Sequence, residues 1–264
     1  MRNVLFCILF LFPFLLSAQS MDDNYFSITV GGGYTGAITS SNSLAVFDDR
    51  QNNLTYKDFI NNTRKDNTMR LNFSAHAWYN RTLGFKWTMQ AGIGYTDMGY
   101  RLQQNDLKTG DYIYKGIGDG RVLDNSNVKK SINNDYRFHY LSIPILFNYE
   151  FLKSGDYKTM FEFTGGVTAT LLLKHQLTAR LDNFTIDSED KYQINETGHD
   201  ARTINMQVNA GLRMLHKLDK ETTIIVQPMF SIHPLSATND KTKVYPYGIM
   251  LNAGIVVDLN KFRD

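Results

Sequence analysis

Hydrophobic and polar residues alternate with a period of two along much of the chain. The stretch FKWTMQAGIGYTDMGY, residues 85–100, shows the pattern clearly. One set of alternate positions is apolar: Phe85, Trp87, Met89, Ala91, Ile93 and Tyr95. The intervening set is polar or small: Lys86, Thr88, Gln90, Gly92, Gly94 and Thr96. Because successive side chains of a strand point to opposite faces, this alternation predicts a β-strand with one apolar and one polar face.

Eight stretches of the chain follow this alternation, and the sequence shows no sustained helical period. They span approximately residues 25–37, 69–80, 85–104, 134–151, 158–173, 203–217, 222–235 and 247–259. A typical globular strand has about five or six residues, whereas a tilted strand needs about nine to eleven to cross a bilayer. The predicted strands are therefore long enough to be transmembrane strands.

The connections between the predicted strands are alternately long and short. The short ones cover residues 81–84, 152–157 and 218–221, and the long ones cover residues 38–68, 105–133 and 174–202. In an up-and-down arrangement every second connection lies at the same end, so all the short turns share one end. Short periplasmic turns opposite long outer loops are typical of an outer-membrane barrel.

Volume decides which face points outward. The interior of an eight-stranded barrel is only just wide enough for side chains to fill it. The bulky apolar faces would overfill that space, whereas the opposite faces, rich in Gly, Ser, Thr and Asn, would fit. We therefore predict an all-β fold: an eight-stranded antiparallel up-and-down transmembrane β-barrel with three long outer loops and short periplasmic turns. A secreted β-sandwich remains the structural alternative, because two sheets can also bury aromatic faces against each other.

Charged and aromatic residues have predicted places in this barrel. A polar network in the lumen is predicted from Arg70, Lys86, Glu162, Arg213 and Asp258. Within it, Glu162 is expected to pair with Lys86 or Arg213 and so to fix the barrel. Aromatic residues near the long loops are predicted to form an outer interfacial girdle: Tyr34, Tyr95, Tyr136 and Tyr247.

The first residues of the chain resemble an export signal. Arg2 precedes an apolar run from Val4 to Leu16, and Ser17-Ala18-Gln19 offers a small-residue cleavage site. We expect residues 1–18 to be a signal peptide and residues 19–264 to be one outer-membrane β-barrel domain. The predicted location is therefore the outer membrane of a Gram-negative bacterium.

Composition narrows the partners further. The single cysteine, Cys7, lies within the predicted leader, so the exported domain cannot form disulfides. The formal net charge is only +2 and no basic block occurs, which argues against binding of nucleic acid. The membrane prediction itself implies contact with outer-membrane lipid and lipopolysaccharide.

The segment YRFHYLSIPILFNYEF carries a family resemblance. Tyr140, Leu141, Ile143, Pro144 and Leu146 resemble the Y-L-x-I-P-x-L strand signature of PorT-like outer-membrane β-barrel proteins. The Gly-rich first strand and the closing strand are similar to the ends of that family. The resemblance implies, as an alternative function, an accessory component of a type IX-like secretion apparatus. It also implies insertion by the barrel-assembly machinery.

The chain departs from that family's usual pattern at two places. Its three outer loops are long, and Phe262 is followed by Arg263-Asp264 instead of ending the chain.

Few residues suggest chemistry. Ser74 and His76 share one strand face, but that face is predicted to line the lumen, away from acyl chains. His175, His199, His216 and His233 lack the spacing of metal ligands, and we predict no catalytic residue, metal or cofactor. Arg137 and His139 form a small positive patch on the lipid-facing side near the outer headgroups. One hypothesis is that they contact lipopolysaccharide phosphates. The alternative, which the sequence favours, is that the strand simply extends past the membrane into water.

The sequence favours a non-enzymatic role. We expect a membrane-embedded scaffold whose extracellular loops bind an unidentified protein or surface ligand. The secretion role is the first alternative, and an enzyme that modifies envelope lipid is a more distant one.

Overall fold

The molecule is described here from a computed structural model. The described residues are 24–44, 46–48, 54–55, 57–58, 67–84, 86–107, 112–114, 120–122, 130–155, 158–182, 194–196, 200–219, 222–239 and 241–257. The predicted signal peptide, residues 1–18, lies outside them, and so does Asp258. None of the described residues belongs to a helix that is long and apolar enough to cross a membrane.

Eight long strands form the body of the molecule. They are β1 Asn24–Ser40, β2 Arg70–Gly84, β3 Trp87–Leu107, β4 Lys130–Lys153, β5 Thr159–Asp182, β6 Ile204–Lys217, β7 Thr223–Ile232 and β8 Lys243–Val257. Each strand lies where the alternating pattern predicts one. The largest difference is at β5, which continues nine residues past its predicted end at residue 173.

The eight strands close into a ring. Each pairs antiparallel with the next along the chain, from β1–β2 to β7–β8. The ring is completed by β1 and β8, which pair from Phe26↔Val257 to Ser40↔Lys243. The predicted eight-stranded antiparallel barrel is therefore confirmed. Closure leaves the barrel wall without a free strand edge.

The two faces of the wall differ as the alternation predicts. Every strand carries exposed apolar side chains on its outer face, which we call the apolar belt. Examples from β1 to β8 are Ile28, Phe73, Ile93, Phe147, Phe163, Leu212, Phe230 and Ile249. Ser, Thr, Asn and Gln side chains fill much of the inner face. Exposed apolar surface of this extent needs lipid around it.

The turn between β2 and β3 corrects one prediction. Gly84 has a φ of 109° and Lys86 a φ of 65°, so both adopt the left-handed region that tight turns require. Lys86 precedes the strand and its side chain is exposed. Its assignment to the lumen network was therefore wrong, because the left-handed turn interrupts the alternation on which that assignment rested.

Three neighbouring strands rise beyond the others at the outer end, where the long loops lie. β3, β4 and β5 have 21, 24 and 24 residues, whereas the other five strands have 10 to 17. We call their extension the outer wall. Short loop strands pair with its two edges: residues 67–68 with β3 and residues 194–196 with β5. Within the described parts of the loops, residues 46–48 pair with 54–55 and residues 112–114 with 120–122.

The outer half of the interior is aromatic. Its buried core comprises Ala37, Met98, Tyr100, Leu102, Tyr136, Phe138, Tyr140, Leu177, Ala237 and Val244. Tyr100 and Tyr136 stack with ring centroids 4.5 Å apart, and Phe138 stacks on His175 at 4.7 Å. Tyr136, predicted in the outer girdle, faces inward because it shares its parity with Phe138 and Tyr140. The outer half of the lumen thus combines an aromatic core with buried polar side chains such as Asn134 and Thr178.

Candidate functional site

The barrel wall is interrupted between β2 and β3 near the outer end. Their ladder runs from Gly84↔Trp87 to Ser74↔Thr96 and stops there. Pairing with β3 resumes only through residues 67–68, with Thr68 opposite Arg101. One residue more lies on the β2 side of this gap than on the β3 side, which marks a local bulge.

Side chains take over backbone hydrogen bonds in the gap. Asn72 Nδ2 donates to the carbonyl oxygen of Asp97 at 3.0 Å. The Gly99 amide donates to Thr35 Oγ1, on the neighbouring strand β1, at 3.1 Å. These two contacts hold the strands apart without leaving the Asp97 carbonyl or the Gly99 amide unpaired.

The gap opens into a cavity of about 310 Å³ that we call the rim cleft. Its lining residues are Arg70, Leu71, Asn72, Phe73, Asp97, Arg101 and Arg137. Ligand pockets in proteins begin at about 300 Å³, so the rim cleft has the size of a small binding site.

The rim cleft lies at the outer boundary of the apolar belt. On β3 the apolar face ends at Tyr95 and is followed by Asp97 and Arg101. On β4 it begins at Leu141 and is preceded by Arg137. In an outer-membrane barrel this boundary meets the lipid headgroups.

One guanidinium of the cleft is held by a carboxylate. Arg70 Nη1 lies 3.0 Å and 3.1 Å from the two carboxylate oxygens of Asp97, and Nη2 lies 3.1 Å from Oδ2. Both side chains are largely buried. Arg70, predicted in the lumen network, is thus the fixed part of the rim cleft.

A second guanidinium is half-exposed. Arg101 Nε contacts Asp135 Oδ1 at 2.6 Å, and the Arg101 side chain is 39% exposed whereas that of Asp135 is 4% exposed. The remaining donors of Arg101 are therefore open to a further acceptor.

The third guanidinium differs from the other two. Among the described residues, Arg137 has no carboxylate within ion-pair distance, and its Nε is buried without a hydrogen-bond partner. It lies directly opposite Gly99 on β3, where no side chain fills the adjacent space. A Cβ at residue 99 would collide with the backbone of Tyr136, so glycine is required there.

His139, predicted to contact lipopolysaccharide together with Arg137, lies beside the rim cleft and does not line it. Its Nδ1 contacts the Tyr95 hydroxyl, and the two rings stack with centroids 6.0 Å apart. The same nitrogen is 3.8 Å from Asp97 Oδ1. His139 therefore lies next to Asp97 outside the cleft, whereas Arg137 lines the cleft itself.

Two further residues of the predicted network, Glu162 and Arg213, meet near the periplasmic end. Arg213 is fully buried, and its Nη1 lies 3.1 Å from Glu162 Oε2 and 3.2 Å from the Tyr25 hydroxyl. Its Nη2 donates to Asn80 Oδ1 at 3.1 Å. This cluster joins four strands across the lumen. It is a structural plug, because its charges are matched and enclosed.

The lumen between the plug and the aromatic core is tightly packed. Its internal cavity has a volume of about 40 Å³ and is lined by residues such as Trp78, Gln207 and Gln227. The side-chain amides of Gln90 and Gln227 are buried without partners among the described residues. A cavity of this size has room for one or two water molecules, and the unpartnered amide of Gln227 faces it.

Ser74 and His76, which share one strand face, contact other side chains of the lumen and not each other. Ser74 Oγ donates to Asn252 Oδ1 at 3.0 Å, and His76 is 3.4 Å from Thr96 Oγ1 and stacked on Trp78. No group of three or more His, Cys, Asp or Glu side chains in this part of the chain could hold a metal ion.

Sequence reasoning missed Asp97, Arg101 and Asp135. A signal was present: Asp97 and Arg101 continue the alternate positions of the apolar face of β3 past Tyr95. Charged residues in phase with an apolar face mark the point where the face leaves the hydrocarbon.

Comparison with known proteins supports the architecture. The sequence model of the family described as outer membrane protein beta-barrel domain matches residues 17–263. No curated protein sequence is significantly similar to the chain.

Three solved structures match the chain over most of its length, all at low sequence identity. Neisserial surface protein A is 11% identical, with 89% of this chain and 97% of that chain covered and a TM-score of 0.39. Ail, the attachment invasion locus protein of Yersinia pestis, solved with the heparin analogue sucrose octasulfate, is 10% identical, with coverage of 88% and 98% and a TM-score of 0.31. The outer membrane protease OmpT from Escherichia coli is 9% identical, with coverage of 92% and 99% and a TM-score of 0.34.

The family match extends over nearly the whole chain and agrees with the closed ring of eight strands. The chain therefore belongs to the outer membrane protein β-barrel domain family.

Proposed function

We propose that this barrel is a non-enzymatic scaffold that binds a protein or surface ligand through its extracellular loops. The observation that carries the proposal is the outer wall. β3, β4 and β5 are each at least 21 residues long, about twice the length that a tilted strand needs to cross a bilayer.

The outer wall is built to be rigid. Its inner side is packed with buried aromatic and aliphatic residues, among them Tyr136, Phe138 and Leu177. Its edges are paired with loop strands at residues 67–68 and 194–196. Loops that a rigid framework positions are the usual place of binding residues.

The packed interior of the barrel also favours a binding role for the loops. The plug around Arg213 fills the periplasmic half of the lumen, and the aromatic core fills the outer half. The cavity between them has a volume of about 40 Å³. A barrel packed in this way has little room for solute passage, so the loops are the better candidate for its activity.

The test is to shorten the loops while keeping the barrel. Residues 41–66, 108–129 and 183–199 are replaced, singly and together, by short Gly-Ser linkers, and partners are captured by cross-linking and detergent extraction. We expect surface partners of the intact protein to be lost when the loops are shortened. A matched control replaces the periplasmic turn at residues 154–158, which should retain them. Equal capture by the intact and the fully shortened protein would contradict the proposal.

The secretion role is the alternative that the PorT-like resemblance supports, and two further measurements separate the candidates. If deletion of the gene blocks export of cargo proteins, the barrel is an accessory component of a secretion apparatus. If deletion changes the lipid A or phospholipid profile, it is an enzyme of envelope lipid. We expect neither change for a binding scaffold.

A further inference from the structure

We propose that the rim cleft binds a phosphate group of an acylated lipid of the outer leaflet, with Arg137 as the principal phosphate ligand. The inference is independent of the loop-scaffold proposal, because it concerns the wall between β2, β3 and β4 and no long loop.

Charge is the first reason. Arg70, Arg101 and Arg137 line the cleft, and the carboxylates that contact them in the described part of the chain are Asp97 and Asp135. One positive charge is therefore unmatched, and it belongs to Arg137. The Arg137 side chain is partly exposed, but its Nε is buried without a hydrogen-bond partner. An unpaired buried donor is costly, and a bound anion would supply the acceptor that Arg137 lacks.

Geometry is the second reason. The planar guanidinium presents paired donors that match the oxygens of a phosphate group. Arg101 lies beside Arg137 along the cleft and is only partly satisfied by Asp135. Arg70 already binds both carboxylate oxygens of Asp97. Arg137 and Arg101 are therefore the guanidiniums whose donors are available to an anion.

The apolar wall of the cleft identifies the phosphate as that of a lipid. Leu71 and Phe73 line the cleft and belong to the apolar belt, with 67% and 49% of their surfaces exposed. A soluble phosphate ester would gain nothing from them. A lipid would place its phosphate at the arginines and its acyl chains along these two side chains.

The position along the barrel agrees with this assignment. The cleft opens sideways through the wall at the outer boundary of the apolar belt, where the headgroups of the outer leaflet lie. Its lining residues belong to strand segments on both sides of that boundary.

The test is a binding titration of the full-length folded protein in detergent with lipid A carrying two phosphates, one phosphate or none. Native mass spectrometry measures the bound fraction. We expect binding to weaken at least tenfold in Arg137→Gln and in the wild-type protein when both phosphates are removed, because a hydrogen bond to a charged group has about that effect.

The matched control is Arg202→Gln, the same chemical change at the outer end but outside the cleft. Arg202 Nε contacts Asn239 Oδ1 at 3.4 Å, and this variant should bind lipid A as the wild type does. Heat-dependent migration on electrophoresis verifies that each variant is folded. If Arg137→Gln does not fold, the binding of the three lipid A forms to the wild-type protein still shows whether the phosphates are required.

Inorganic phosphate and Phe73→Ser distinguish a lipid from a soluble phosphate. We expect Phe73→Ser to weaken lipid A binding and to leave the weak binding of inorganic phosphate unchanged. Equal binding of phosphorylated and dephosphorylated lipid A by the wild type would overturn the proposal. An equal loss of lipid A binding in Arg137→Gln and Arg202→Gln would overturn it too. The lipid assignment alone would be overturned if inorganic phosphate bound tightly and Phe73→Ser left the binding of both phosphate and lipid A unchanged.

Discussion

Arg213 is the residue on which the periplasmic half of the lumen depends. It is fully buried and contacts Glu162, Tyr25 and Asn80, which come from three other strands. Removing one member of a buried ion pair leaves the other charge without compensation, which costs about 3–5 kcal/mol.

We therefore expect Arg213→Met to lower the free energy of unfolding by about 3–5 kcal/mol. The measurement is urea unfolding in detergent micelles, followed by tryptophan fluorescence. The double variant Arg213→Met with Glu162→Met should recover part of the loss, because it removes both charges. Arg202→Met, at a partly exposed position, should change stability by less than about 1 kcal/mol. A double variant as unstable as the single one would contradict this account.

His233 makes stability depend on pH. It follows β7, packs against Tyr140 with ring centroids 5.3 Å apart, and has no hydrogen-bond partner among the described residues for either ring nitrogen. Burial lowers the pKa of His233 from its ordinary value of 6.5 to about 4. At a pH between these two values, His233 is therefore neutral in the folded protein and protonated in the unfolded chain.

The sign of the effect follows from that difference. Above pH 6.5 both states hold a neutral His233, which then costs the folded state nothing. Between pH 6.5 and pH 4 His233 is protonated only in the unfolded state, so its contribution lowers stability as the pH falls. We expect wild-type protein to lose more stability than His233→Gln when the pH is lowered from 7.5 to 4.5, by urea unfolding at both values. Parallel losses in the two proteins would show that His233 is not responsible.

At the scale of elements, the outer wall owes its order to the aromatic core between β3, β4 and β5. Phe138 is fully buried at its centre and stacks on His175 at 4.7 Å and Tyr140 at 6.3 Å. These contacts continue past the bulge between Leu172 and Lys174, where β5 shifts its register against β4. The bulge allows β5 to bend while both halves of the strand stay paired.

Phe138→Ala should therefore loosen the outer wall selectively. We expect the free energy of unfolding to fall by about 3–5 kcal/mol. Amide exchange should become faster in residues 98–102, 134–140 and 175–178 and change little at the periplasmic end. Hydrogen exchange in micelles measures both regions at once. Phe147→Ala is the matched control on the same strand, since Phe147 faces lipid and is 44% exposed. Uniformly faster exchange throughout the barrel would indicate that the outer wall is not a separate unit.

At the scale of the whole molecule, the packed lumen predicts that the barrel does not pass small solutes. The lumen cavity between the plug and the aromatic core has a volume of about 40 Å³, which is too small for a sugar. Proteoliposomes that contain the protein should swell in arabinose no faster than empty liposomes. A general porin at equal protein content provides the positive control, and swelling near its rate would show that the lumen opens.

Three properties could be predicted from the sequence alone: the number of strands, the face each strand turns outward and the end at which the long loops lie. These properties are local: alternation with a period of two fixes the faces, and connection lengths fix the ends. It even indicated a charged patch at the outer rim through Arg137.

The contacts of these side chains could not be predicted and follow from how the strands pair in the folded barrel. The alternation cannot show that the β2–β3 ladder breaks after Ser74, that Arg70 pairs with Asp97, or that Arg137 lies opposite Gly99. The register between strands is set by residues far apart in sequence, and a bulge of one residue changes the partners of every side chain beyond it. For the same reason a left-handed turn moved Lys86 out of the lumen, although its place in the alternating pattern had predicted it there.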